Sequence, residues 1–200
     1  MSHITTARLE IKDFQALIDA LRDNYGIVEV FEQPQRRIVA YLRNEPVHAY
    51  VPASAIRGRY GAGIGVVVRA DGRVELLTDD ANEVDLPAIR RAYALRVADA
   101  DLTASGFVRA AADETLQDGT VRRVYAPADG APAPRVVVTV EPNGTVRITV
   151  EGMIGMGCLP ITAGLIARLG DAAETTLTAD AYGEQADADS WAWAKERNDA

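Results

Sequence analysis

Three tight-turn dipeptides, Asp71-Gly72, Asp118-Gly119 and Asn143-Gly144, each separate two β-type runs in this chain. The runs are Ile64–Ala70 with Val74–Thr78, Phe107–Thr115 with Thr120–Tyr125, and Val136–Glu141 with Val146–Glu151. Asp-Gly or Asn-Gly between such runs is a strong local signal for a β-hairpin, because glycine takes the positive φ that a tight reversal needs. A chain with three of them is committed to antiparallel sheet.

The remaining segments add strands and helices. His3 to Ile11 alternates as a strand does. Asp13 is placed to cap a helix whose apolar positions Phe14, Leu17, Ile18, Leu21 and Tyr25 recur at helical spacing, with Gly26 at its end. Ile27–Phe31 and Ile38–Leu42 read as short strands around the breaker EQPQRR. Val47–Val51, between Pro46 and Pro52, reads as an edge strand or a strand end. A longer helix begins near Leu86 with Pro87 in its first turn, carries the stripe Leu86, Ile89, Tyr93, Val97 and Ala100, and ends at Gly106. Residues 126–134, APADGAPAP, hold three prolines and read as a stiff connector and domain boundary. Beyond Gly152 a short helix puts Ile161, Leu165, Ile166 and Leu169 on one face. The expected fold class is α+β: a first domain (1–125) of mainly antiparallel sheet with two helices, then a strand-strand-helix unit (135–170). An acidic tail (171–200) follows, with Tyr182, Trp191 and Trp193 as sparse anchors. Two strands and a helix bury too little alone, so this unit must dock on the first domain, on a partner, or in a swapped or dimeric core.

Charge narrows the functions. The net charge is −8; residues 1–125 hold 16 Lys+Arg against 18 Asp+Glu, residues 126–200 hold 5 against 11, and 8 of those 11 acids lie after Gly170. Nucleic-acid binding needs a basic face, so no nucleic-acid partner is expected. No apolar stretch is long enough to span a bilayer, and no signal peptide is read at the N-terminus. A cytoplasmic protein without membrane contact is the expectation. One cysteine excludes an internal disulfide framework. With only His3 and His48 beside it, a self-contained zinc site lacks ligands. No metal and no cofactor is expected.

Two resemblances follow from particular residues. The opening Met1-Ser2-His3-Ile4-Thr5-Thr6, Ile11-Lys12-Asp13, the Leu17 to Leu21 helix, Ile64-Gly65, Asp71-Gly72, Tyr93-Ala94, Gly106-Phe107 and Asp118-Gly119 resemble domain of unknown function 1257 over about residues 1–125. That is the family of a hypothetical plastid and cyanobacterial reading frame. Residues 135–170 are similar to domain of unknown function 2997, through Gly152, Gly155, Cys158 and Leu169-Gly170. Glu151 stands where that pattern would carry lysine, and Pro160 comes early in the helix. Proteins of these two families tend to accompany an ATPase of the AAA+ type. The resemblance therefore implies a protein partner, an AAA+ ATPase, and an accessory role, with room for a homo-oligomer.

The candidate site residues are few. Cys158 stands where a glycine-rich loop becomes a helix; a helix N-terminus stabilises a thiolate, and Gly152, Gly155 and Gly157 allow close approach. Either it is a reactive thiol or it packs the loop against the sheet. His3 opens the first strand as a packing or hydrogen-bonding feature, and His48 reads as structural. Trp191 and Trp193 serve docking or fold back on their own domain. Asp79, Asp80, Glu83 and Asp85 lack the alternation, glycine and closing glutamate of a calcium loop, and Arg36-Arg37 with Arg57 and Arg59 read as solvated. The expected function is a non-enzymatic adaptor or accessory subunit acting by protein–protein binding. The alternative is a thiol-based redox or transfer protein acting through Cys158.

Overall fold

The computed structural model describes residues 3–8, 11–40, 43–56, 62–79, 82–152, 159–169 and 172–177. In chain order the elements are β1 (His3–Arg8), α1 (Phe14–Tyr25), β2 (Glu29–Ala40), β3 (Arg43–Val51), β4 (Ile64–Val68), β5 (Val74–Leu77), α2 (Leu86–Ala104), β6 (Phe107–Arg109), β7 (Glu114–Thr115), β8 (Val121–Pro127), β9 (Arg135–Val140), β10 (Thr145–Glu151), α3 (Leu159–Leu169) and β11 (Ala172–Leu177). They make two antiparallel sheets and three helices, an α+β fold. The larger sheet runs β11-β1-β10-β9-β8-β6, with β7 also on β8; the smaller runs β2-β3-β4-β5.

All three expected hairpins form, and they share one construction. In each, the glycine has φ between 83° and 88° and donates its N–H to the residue three before it: Gly72 to Arg69, Gly119 to Leu116, Gly144 to Glu141. The residue before the glycine folds its side chain onto the backbone two residues on. Arg73 N–H donates to Asp71 Oδ1 (3.1 Å), Thr120 N–H to Asp118 Oδ1 (2.9 Å) and Thr145 N–H to Asn143 Oδ1 (2.8 Å). This is a three-residue hairpin loop with its last residue left-handed, reinforced by an Asx turn. The second hairpin departs from expectation in its first strand, which breaks at 110–113 into β6 and β7.

The helices start as expected. Asp13 accepts from Ala16 N–H and Asp85 from Ala88 N–H, each capping its helix. Leu17, Ile18 and Leu21 of α1 are fully buried. On α2, Ile89, Tyr93 and Val97 are buried, but Leu86 and Ala100, expected on the same stripe, are exposed. Ala94, Leu95, Ala98 and Leu102 are buried instead. α1, α3 and the larger sheet all pack on α2, so its buried surface wraps well beyond a single stripe.

Residues 126–134, expected to divide domains, join two paired strands. β8 pairs β9 directly, from Val121↔Val140 to Tyr125↔Val136, and β10 pairs β1 from His3↔Val150 to Arg8↔Thr145. The strands of the expected C-terminal unit therefore lie inside the larger sheet, between β8 and β1. One apolar cluster runs from Leu17 and Ile18 through Tyr93 and Val97 to Val138, Ile148 and Leu165. Residues 172–177, within the expected acidic tail, form strand β11 beside β1.

In the smaller sheet the expected breaker does not end a strand. β2 is continuous, with its register on β3 shifting between Val30 and Gln35, so residues 31–34 bulge and Pro34 falls where no ladder bond is required. Of the two expectations for Val47–Val51, an edge strand or a strand end, the edge does not hold, since β3 lies between β2 and β4, while Pro52 does follow its last residue, Val51. Only Ala49–Val51 pair with β4, which leaves Pro46 beyond β4's reach.

Tyr93 ties α2 to the start of α1. Its fully buried side chain accepts at Oη from the N–H groups of Lys12 (3.0 Å) and Asp13 (3.1 Å). Tyr93→Phe removes that acceptor at no cost in apolar packing, and is expected to lower stability by about 1–2 kcal/mol. Chemical unfolding checks it through a lower midpoint at unchanged slope.

Candidate functional site

Of the site residues expected from sequence, most fall outside the described residues: Gly155, Gly157, Cys158, Trp191 and Trp193, with Arg57 and Arg59. Gly152 is described. Its φ of 75° is left-handed, and a Cβ there would stand 2.9 Å from Ala133 Cβ. It is a close-packing glycine against the 126–134 connector. His3 lies in β1, opposite Val150 on one side and Leu177 on the other. His48, in an internal strand, accepts at Nδ1 from Val68 N–H (3.1 Å) and so serves the sheet. Asp85 caps α2, and Arg37 stacks over Phe31 at 4.7 Å and pairs with Glu29 at 3.4 Å. Among the described residues no group of three or more His, Cys, Asp or Glu is placed to hold a metal ion, and no helix is long and apolar enough to cross a membrane.

Sequence reasoning missed the most connected polar cluster, which lies between α2 and the β6–β8 end of the larger sheet. Arg123, only 7% exposed, donates from Nε and Nη2 to Asp113 (2.7 and 2.5 Å) and from Nη1 to Asp99 Oδ2 (2.8 Å) and Leu95 O (3.4 Å). Tyr125 Oη donates to Asp99 Oδ1 (2.8 Å), and Arg109 forks onto both Asp99 oxygens. Burial pushes the Asp99 carboxyl up, but hydrogen bonds from Arg109 and Tyr125 and the charge of Arg123 outweigh it and hold the pKa below its ordinary value. The hydrogen bonds from Arg123 hold Asp113 down as well. Burial, then the Asp99 charge, raise the Tyr125 hydroxyl, which stays protonated as a donor. The signal was present in β8: alternation puts Val121, Arg123 and Tyr125 on one face, and an arginine between two core-facing residues needs buried carboxylates.

A second cluster closes the other side of the helix layer. Arg168 of α3 pairs with Asp13 at 2.6 Å and approaches Asp101 of α2 at 3.6 Å. Gly164 faces the same Asp101 carboxylate, and a Cβ there would stand in ordinary contact with it at 3.4 Å.

The free edge of β2 is a different kind of feature. Among the described residues β2 pairs as a strand with β3 alone, while Ile38 O near its end accepts from Gly63 N–H (3.0 Å) and Tyr50 Oη (3.2 Å). Exposed large apolar side chains concentrate there: Ile27 is 58%, Val30 48% and Ile38 51% exposed, three of the six such residues described. An edge strand of this length with apolar side chains is a template for strand addition. β6, at the edge of the larger sheet, has only three residues.

Comparison with known proteins places one segment. Residues 136–182 match the model of a family described as a protein of unknown function, DUF2997. The match takes in β9 after its first residue, then β10, α3 and β11, so it runs past the strand-strand-helix segment expected from sequence to include the edge strand on β1. No curated protein and no solved structure matches the chain.

Proposed function

We propose that the protein is a non-enzymatic adaptor or accessory subunit of an AAA+ ATPase-linked system, and that it binds its partner by strand addition along β2. The observation that carries this reading is the free β2 edge with Ile27, Val30 and Ile38 exposed beside it. The ATPase association rests on what the resemblance to domains of unknown function 1257 and 2997 implies, and the match of residues 136–182 to DUF2997 supports the second part of that resemblance. The partner element is an extended segment of the ATPase. It lies along the stretch from Gln35 to Ile38, between the two register shifts of β2, and sets apolar side chains against Ile38, whose own carbonyl is held by Gly63 N–H and Tyr50 Oη.

Lysine on an edge strand is a natural block to such pairing. Val30→Lys and Ile38→Lys replace exposed side chains, so folding is retained. The tagged wild type is expected to recover an AAA+ ATPase from native extract, and the double variant at least about tenfold less, the loss of roughly 1.4 kcal/mol or more of contact. Recovery of no such ATPase, or equal recovery by the variant, contradicts the reading.

A further inference from the structure

We infer that the cavity between α2 and the β6–β8 end of the larger sheet is a binding site for a phosphoryl group. The cavity, about 440 Å³, is walled by Arg91 and Arg96 of α2, Arg109 of β6 and Arg123 of β8, with Thr115 at its side. Four guanidinium groups there face three carboxylates: Asp23 and Asp113 in the wall, and Asp99 behind it. One positive charge is left over, in a chain whose net charge is −8.

The donors are more decisive than the charge. Arg96 and Arg109 each commit Nε and Nη2 to one carboxylate, Asp23 and Asp99, which leaves Nη1 of each uncommitted. Arg91 makes no hydrogen bond or ion pair among the described residues, so its whole fork is available. A guanidinium matches an oxyanion edge with two parallel N–H bonds. Several such edges around one space, with a threonine hydroxyl, exceed what a single carboxylate can accept and suit the terminal oxygens of a phosphoryl group. The carboxylates keep the neighbouring arginines fixed at low entropy cost. Arg91 is the group left to pair with an incoming anion. The cavity is larger than a phosphate ion, so either free phosphate or a phosphate ester fits its chemistry. It belongs to the larger sheet, away from β2, and stands or falls independently of the strand-addition reading.

The test is an NMR titration of the full-length chain, following arginine Nε–H resonances, with inorganic phosphate in one arm and adenosine monophosphate in another, and chloride at matched ionic strength as the control. Saturable shifts at Arg91, Arg96 and Arg109 are expected with at least one phosphate compound. The tighter of the two identifies the source. Arg91→Gln, which breaks no bond in the described structure, is expected to weaken that binding about tenfold or more, with Arg91→Lys intermediate because it keeps the charge and loses the fork. An unchanged melting temperature shows the variants are folded. No saturable shift in either arm, equal shifts with chloride, or undiminished binding by Arg91→Gln overturns the site.

Discussion

Arg123→Met is expected to lower the stability of the protein by about 3 kcal/mol, at the lower end of what breaking a buried ion pair costs. The arginine is nearly inaccessible and holds two carboxylates from different elements, Asp99 on α2 and Asp113 before β7. Methionine replaces its aliphatic length but none of its donors. Asp99 keeps Arg109 and Tyr125, while Asp113 loses both its bonds to Arg123. Partial water access to the two acids, 21% and 32% exposed, keeps the loss from being larger.

The same substitution changes the response to acid. Asp99 and Asp113 are held below the ordinary carboxylate value of 3.8 in the folded protein. A carboxyl depressed on folding stabilises the protein above its unfolded pKa, and that stabilisation is lost as pH falls through the folded value. Wild-type stability should therefore be level near neutrality with respect to these groups and decline below about pH 4. In Arg123→Met the decline is shallower, chiefly because Asp113 loses the hydrogen bonds that depress it, while Asp99 loses the Arg123 charge but keeps Arg109 and Tyr125. Urea midpoints at pH 7 and below pH 4 measure both effects. An unchanged midpoint at pH 7, or an acid limb as steep as wild type, would show that the network contributes little.

Gly63→Ala is expected to cost about 3 kcal/mol, at the upper end of overpacking. A Cβ at Gly63 would stand 2.2 Å from Val51 O and 2.4 Å from the Tyr50 ring. The oxygen is backbone in an internal strand, so relief requires the chain itself to move. Gly63 N–H also donates to Ile38 O at 3.0 Å, and Tyr50 Oη donates to the same carbonyl at 3.2 Å. Displacing Gly63 therefore loosens the end of β2 as well as straining β3. Gly65→Ala, whose Cβ would meet only the Val39 and Val47 methyls at 2.6 Å, costs less, about 1–2 kcal/mol, because side chains can yield. Thermal unfolding of the two variants side by side gives the order; equal losses would mean that the Val51 carbonyl is not the limiting contact.

Local features of the fold were readable in the sequence because their causes are local. Asp-Gly and Asn-Gly fix hairpins within five residues, and Asp13 and Asp85 cap helices through neighbours three residues away. The pairing of β1 with β10 joins residues more than 130 positions apart and leaves no mark in either strand. Without it the proline-rich 126–134 reads as a divider when it is the loop between neighbours. EQPQRR reads as a break because composition cannot distinguish a bulge from a turn. Of the candidate site, only the inward arginine of β8 left a readable trace. The free edge of β2 could not be foreseen, since an edge is defined by which strand fails to pair.

Site-specific photo-crosslinking reads contact along β2 without any loss-of-binding variant. A photoreactive amino acid at Ile38, and separately at Leu116, another exposed apolar residue in the hairpin loop between β7 and β8, would be activated in native extract. A crosslink to an AAA+ ATPase is expected from position 38 and none from 116. Equal yields from both positions, or no ATPase from position 38, would contradict it.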